Sequence, residues 1–156
     1  GINAEYGEHQ MIHGMLILSE EGKARLVRFY DDISCEKQQE IIRKILFYIK
    51  QRSKDASNFV FHDIGLTDCH VVYRKYARLF FVTLVDDAEN DLACLDLIQC
   101  FVEALDKVYD RVCEMDLLFN IDKTNFVLDE LLCGGIVINN QKDRVVDQLK
   151  MHSVGK

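Results

Sequence analysis

Histidine and cysteine are the side chains in this sequence best suited to nucleophilic, acid–base or metal chemistry near neutral pH. The five histidines are far apart, and none belongs to an H-E-x-x-H metal motif. Cys69 and His70 are neighbours in a predicted strand, so their side chains point to opposite faces and cannot act as nucleophile and base. The sequence also contains no G-x-S-x-G or G-x-x-x-x-G-K-[ST] motif. It therefore predicts no catalytic site and no enzyme activity.

Three carboxylates, those of Asp86, Asp87 and Asp91, come nearest to a metal-ligand cluster in the sequence. They stand just before or at the start of a predicted helix, where carboxylates meet the positive end of the helix dipole. No histidine lies near them in the sequence to complete a ligand set. We therefore predict that these carboxylates are structural, with no metal site and no cofactor.

The six cysteines form no C-x-x-C pair, and no secretion signal precedes them. We predict reduced thiols that pack as small hydrophobic side chains, rather than a disulfide or zinc framework. These cysteines are Cys35, Cys69, Cys94, Cys100, Cys113 and Cys133.

The composition is that of one folded domain. With 49% hydrophobic and 29% charged residues, we predict a single domain at residues 11–156, after a polar segment 1–10 that is an extension or a remnant of expression. The net charge of −7 argues against a nucleic-acid partner, because an acidic surface gains nothing from counterion release. No apolar run is long enough to cross a bilayer. We expect a cytoplasmic protein that reaches membranes only through its partners.

Strands and helices occur in blocks along the chain. Period-two and period-3.6 patterns predict the order β-β-α-β-β-β-α-α-α, typical of an α+β sandwich with a five-stranded, mainly antiparallel sheet between helices. The predicted strands are 11–18, 24–30, 57–62 and a hairpin over 69–85 that folds back near 75–78. The predicted helices are 36–52, capped by Ser34, then 89–111, one or two helices over 115–133 broken near Asn120, and 140–152.

The predicted helix 89–111 has an apolar face wider than a helix lying on a sheet requires. One of its two apolar rows contains Cys94, Leu97, Phe101 and Val108. Either the C-terminal helices cover this row, or part of it faces another protein chain.

Several ordered sequence blocks resemble a known family. The blocks are MI at 11–12, GKARLVRFY at 22–30, VYRKYARLFF at 72–81, LDLIQ at 95–99, FVEALD at 101–106, VCEMDLLFN at 112–120, LDEL at 128–131 and GG at 134–135. Their order and spacing resemble the sigma (small) subunits of adaptor protein complexes over residues 11–147. The LDLIQ block and the glycine pair look most like the sigma chain of the type-3 adaptor.

The resemblance implies a longin-like (SNARE-like) fold and a non-catalytic role in vesicle-mediated protein transport. Such a subunit would pack against a large adaptin chain, within a heterotetramer that also holds a medium (mu) chain and a second large chain. It would act on Golgi, endosome or coated-vesicle membranes through that complex. The apolar row Cys94, Leu97, Phe101 and Val108 would then contribute to the interface with the large chain.

The resemblance also implies recognition of cargo tails that carry the acidic dileucine signal [DE]-x-x-x-L-[LI]. By matching position, Arg25 would meet the acidic group, and Ala77, Leu79, Val102 and Val112 would line the leucine pockets. Two positions depart from the family pattern: Arg78 replaces a small residue, and Arg111 stands where asparagine is common. Either long side chain would narrow the groove or add a positive charge to it.

Two alternatives to the sigma interpretation share the longin-like fold. One is a regulatory domain of a membrane-fusion or tethering factor, which would continue into a heptad helix and a membrane anchor. The other is the zeta subunit of coatomer, which matches the quoted blocks less well.

Overall fold

Four long strands form an antiparallel sheet in the computed structural model, which describes residues 12–52, 59–60, 63–88 and 90–133. A two-residue strand, β3, pairs with one edge, and the strand order is β2-β1-β5-β4-β3. The α+β prediction is confirmed. The sheet differs from the predicted five strands in that only four are long, and the fifth, β3, has two residues. The strands are β1 (Ile12–Ser19), β2 (Ala24–Phe29), β3 (Phe59–Val60), β4 (Cys69–Tyr76) and β5 (Leu79–Asp86).

Two hairpins arrange the long strands as predicted. The strands β1 and β2 pair in the first hairpin, and β4 and β5 pair in the second, which turns at Ala77 and Arg78. β5 lies between β1 and β4, and its residues 81–85 are all buried. This placement confirms the prediction that the apolar segment 79–85 is a central strand covered on both faces.

Four helices are described, and their local sequence explains where they begin and end. The Ser34 hydroxyl accepts a hydrogen bond from the Lys37 backbone N–H and begins α1, as predicted. Asn90 caps α2 in the same way, and Asn120 separates α3 from α4. The predicted exit at Gly134 and the predicted helix 140–152 lie outside the described residues. The helices are α1 (Cys35–Lys50), α2 (Asp91–Tyr109), α3 (Glu114–Phe119) and α4 (Ile121–Cys133).

The sheet separates two apolar cores, which confirms the prediction of one helix on each face. On one face, Ile41, Ile45 and Ile49 of α1 pack against even-numbered residues of β1 and β5. On the other face, α2 and the C-terminal helices pack together, and the rings of Phe81 and Phe101 meet edge to face at 5.8 Å. Among the described residues, no helix is both long and apolar enough to span a bilayer.

Candidate functional site

Arg25 is directed toward the C-terminal helices by a β-bulge in β2. Ile17 pairs with Leu26 and Leu18 pairs with Ala24, so Arg25 is the extra residue of the ladder. Bulges re-aim side chains in this way. The guanidinium Nε donates to the carboxylate of Glu114, the first residue of α3, at 2.6 Å. The arginine predicted to bind acidic cargo is therefore already paired with a carboxylate of its own chain.

A second arginine on β2 makes the same kind of contact with α4. Arg28 donates to Asn125 at 2.9 Å and to the carboxylate of Asp129 at 2.6 Å. Both β2 arginines are partly covered, so these pairs are less screened than fully exposed ones. Together they tie the sheet edge to the two C-terminal helices.

Three of the four predicted pocket residues are in the hydrophobic core. Leu79, Val102 and Val112 belong to the same core cluster and are only 1–3% exposed. Ala77 is exposed, in the β4–β5 turn at φ 55°. Val102 was expected to line an exposed pocket, but its side chain is covered. A peptide could reach these three side chains only after the residues over them moved.

The loop 110–113 between α2 and α3 holds Val112 in place through Asp106. The Asp106 carboxylate accepts a hydrogen bond from the Val112 backbone N–H at 2.9 Å and another from the Tyr76 hydroxyl at 2.5 Å. The hydrogen bond to Asp106 raises the pKa of Tyr76, because the carboxylate favours the protonated phenol. One carboxylate therefore joins α2, its following loop and the end of β4.

The two departures from the family pattern are both exposed. Arg78 completes the β4–β5 turn, where its carbonyl accepts a hydrogen bond from the Glu20 backbone N–H at 3.1 Å. Arg111 follows Asp110 in the α2–α3 loop, and both have positive φ, at 79° and 53°. Asparagine tolerates this left-handed conformation better than arginine does, which gives a physical reason for its being common at position 111.

The apolar row of α2 is covered by this chain itself. Cys94, Leu97 and Phe101 are buried in the same core as α4, and Val108 is half-buried at its margin. This arrangement agrees with the alternative in which the C-terminal helices cover the row. Of the four residues, Val108 retains the most surface for a partner.

An exposed apolar face on α3 was missed in the sequence. Met115, Leu118 and Phe119 are 62%, 51% and 74% exposed and follow i, i+3, i+4 spacing on one side of the helix. The face lies near the end of α2, because the Tyr109 hydroxyl donates to the Asn120 carbonyl at 2.9 Å. The spacing alone could have indicated an apolar face, but not that it is left uncovered.

The cysteine prediction is wrong for three side chains. Cys35, Cys113 and Cys133 are exposed, while Cys94 is buried. The exposed ones stand at the ends of helices, where a side chain can leave the packed face. Their positions next to helix ends were visible in the sequence pattern.

The expectation that no histidine approaches the acidic residues is also wrong. His70 is buried between Asp87 and Asp91, with Nδ1 3.1 Å from one carboxylate and Nε2 2.5 Å from the other. His13 lies between Asp31 and Asp86, at 2.6 Å and 2.5 Å. The hairpin turn at 77–78 was the available signal, since it places residues 69–70 beside 85–86.

Comparison with known proteins places this geometry in a family. Residues 11–155 match the family described as clathrin adaptor complex small chain. The "AP-3 complex subunit sigma" of Dictyostelium discoideum is 45% identical over 134 residues, covering 82% of this chain and 77% of that protein. The human "AP-3 complex subunit sigma-2" is 42% identical over 142 residues, covering 90% and 74%.

The fold is similar as well. A chain in a structure described as a homology model of the full-length AP-3 complex in a stretched open conformation superposes with a TM-score of 0.74. It is 35% identical, and the match covers 93% of this chain and 96% of that one.

Proposed function

Because the chain belongs to the clathrin adaptor complex small-chain family, we propose that it is the sigma subunit of an AP-3 adaptor complex in vesicle-mediated protein transport. The family prediction is confirmed, and subunits of this family are not enzymes. The observation that carries the proposal is the similarity to AP-3 sigma chains at 42–45% identity, over at least 82% of this chain. We further propose that residues 11–156 belong to one longin-like domain.

The proposed partners follow from this assignment. The chain packs against a large adaptin chain, beside a medium chain and a second large chain. It reaches Golgi, endosome or coated-vesicle membranes, and the cargo tails there, through the complex.

The exposed face of α3 supports an interface with the large chain. Three large apolar side chains, Met115, Leu118 and Phe119, are more than half exposed. Complete burial of each would contribute roughly 1.5–3 kcal/mol. Val108, half-buried near the end of α2, is a further candidate for this interface, whereas Cys94, Leu97 and Phe101 are buried in the core.

Co-purification tests both the assignment and the interface. A tagged chain should recover AP-3 large chains from cells, and Phe119→Ser should reduce that recovery. Phe47→Ser is the matched control, because Phe47 is 57% exposed on α1, on the opposite face of the sheet. Equal recovery of large chains from other adaptor types would contradict the AP-3 assignment. Equal loss from both variants would contradict the α3 interface.

We also propose that the assembled complex recognises acidic dileucine signals through this chain. The Arg25–Glu114 pair supports the proposal, because it shows that the arginine can hold a carboxylate at hydrogen-bonding distance. The acidic residue of a signal would replace Glu114. The leucines would enter beside Leu79, Val102 and Val112 once the loop 110–113 moved, with Ala77 at the rim.

A peptide titration tests this second proposal. An acidic dileucine peptide should bind the assembled complex, and a peptide with both leucines changed to alanine should not. Val102→Ser should abolish binding, because the leucine pocket contributes more than the partly covered charge of Arg25. Equal affinity for the two peptides would exclude this pocket.

A further inference from the structure

We propose that His13, Cys69 and Asp86 bind a divalent transition-metal ion, with Zn²⁺ the best fit. The three residues come from the start of β1, the start of β4 and the end of β5, which meet at one end of the sheet. One ligand atom from each residue lies within 4.8 Å of the other two. Small side-chain rotations would bring all three to metal–ligand distances of about 2.0–2.3 Å.

The backbone holds the three side chains together independently of any ion. Cys69 and Asp86 are directly opposite each other in the β4–β5 ladder, so both project from the same face. His13 is an extra residue in β1, because Ile12 pairs with Val85 and Gly14 pairs with Leu84. This bulge turns the imidazole toward Asp86.

Asp31 supplies the contact that zinc-binding histidines normally have. A ligating histidine uses one ring nitrogen for the metal and donates the other N–H to a carboxylate, which sets the tautomer. Here Nδ1 of His13 lies 2.6 Å from Asp31, and Nε2 points at Asp86, 2.5 Å away. An ion between Nε2 and Asp86 would replace the proton of this hydrogen bond.

Four carboxylates act on the thiol of Cys69. Partial burial, together with the negative charges of Asp86, Asp31, Asp87 and Asp68, raises its pKa to about 11. A cation among these groups would offset both causes and stabilise the thiolate.

The mixed donor set selects the kind of ion. Sulfur and imidazole ligands favour Zn²⁺ or Co²⁺ over Mg²⁺ and Ca²⁺, which take oxygen ligands. Three protein ligands leave one tetrahedral position for water or for a group from a partner. His70 with Asp87 and Asp91 offers no comparable site, because this second cluster has no thiol.

Cobalt titration of the reduced chain tests the site. Co²⁺ should produce a thiolate-to-metal charge-transfer band, and Zn²⁺ should remove it by competition. Cys69→Ser should abolish the band, and Asp31→Asn should weaken binding about 10- to 100-fold. Cys35→Ser and His70→Gln are the matched controls and should leave the band unchanged. A band that persists in Cys69→Ser would overturn the proposal.

Alkylation of the wild-type chain tests the site without any variant. Zn²⁺ should slow alkylation of Cys69, mapped by mass spectrometry, while exposed Cys35 reacts at its metal-free rate. Unchanged alkylation of Cys69 at saturating Zn²⁺ would show that the cluster is a charged hydrogen-bond network and not a metal site. Neither result depends on assembly with adaptor chains, so this proposal and the proposed function can fail separately.

Discussion

Arg111 has a backbone conformation that is unfavourable for a residue with a side chain. Its φ of 79° lies in the left-handed region, which costs an L-residue roughly 1–2 kcal/mol relative to ordinary helical backbone. Glycine has no such cost, although it loses more entropy on folding. We therefore expect Arg111→Gly to raise the free energy of unfolding by about 0.5–1 kcal/mol, measured by urea denaturation.

The control for this prediction is Arg43→Gly. Arg43 is an exposed arginine inside α1, so the same substitution there should lower the free energy of unfolding by about 1 kcal/mol. Destabilisation by both variants would mean that the loop conformation at position 111 is not strained.

The pairing of Arg25 with Glu114 predicts competition with acidic cargo. Glu114→Gln keeps the shape of the side chain but removes the competing charge, so an acidic dileucine peptide should bind more tightly, by up to about fivefold. Arg25→Ala should weaken binding and flatten its salt dependence. Calorimetric titration of the assembled complex in low and high salt measures both effects. Asp129→Asn, which removes the carboxylate paired with Arg28 instead, should leave the affinity unchanged. Weaker binding by Glu114→Gln would exclude the competition.

At the scale of elements, the apolar row of α2 is buried, whereas the apolar face of α3 is exposed. Phe101 on α2 is fully buried, and Leu118 on α3 is 51% exposed. Phe101→Asp should cost more than about 4 kcal/mol of stability, because it buries an unpaired charge. Leu118→Ser should change stability by less than about 0.5 kcal/mol yet reduce recovery of the large chain. Thermal denaturation of the single chain, beside co-purification, separates these effects.

Two results would contradict these roles of the α2 row and the α3 face. If Phe101→Asp left folding intact, the α2 row would not be core. If Leu118→Ser unfolded the chain, the α3 face would be structural and not an interface.

At the scale of the whole molecule, the strand order sets where the fold is most stable. β5 is hydrogen-bonded on both sides and covered by both cores, whereas β2 and β3 are at the edges of the sheet. Amide hydrogen exchange should therefore be slowest in β5 and much faster in β3. Mass spectrometry of deuterated peptides measures this order. Slower exchange in β3 than in β5 would contradict the central placement of β5.

The sequence alone determined the features that depend on short-range patterns. Apolar periodicity located α1 and α2 to within about two residues, Ser34 marked a cap, and the apolar segment 79–85 predicted a central strand. These predictions succeed because helix and strand periods are properties of neighbouring residues. The order and spacing of the quoted sequence blocks likewise carried the family resemblance.

Only the tertiary structure decided which side chains meet across long separations. Glu114 lies 89 residues from Arg25, and Asp86 lies 73 residues from His13. Both contacts depend on bulges that change where one side chain points, and periodicity cannot show a bulge. The sequence also left undecided that the apolar row of α2 is covered and that the apolar face of α3 is exposed. An apolar stripe shows that a surface needs cover, but the packing of distant elements determines which stripe receives it.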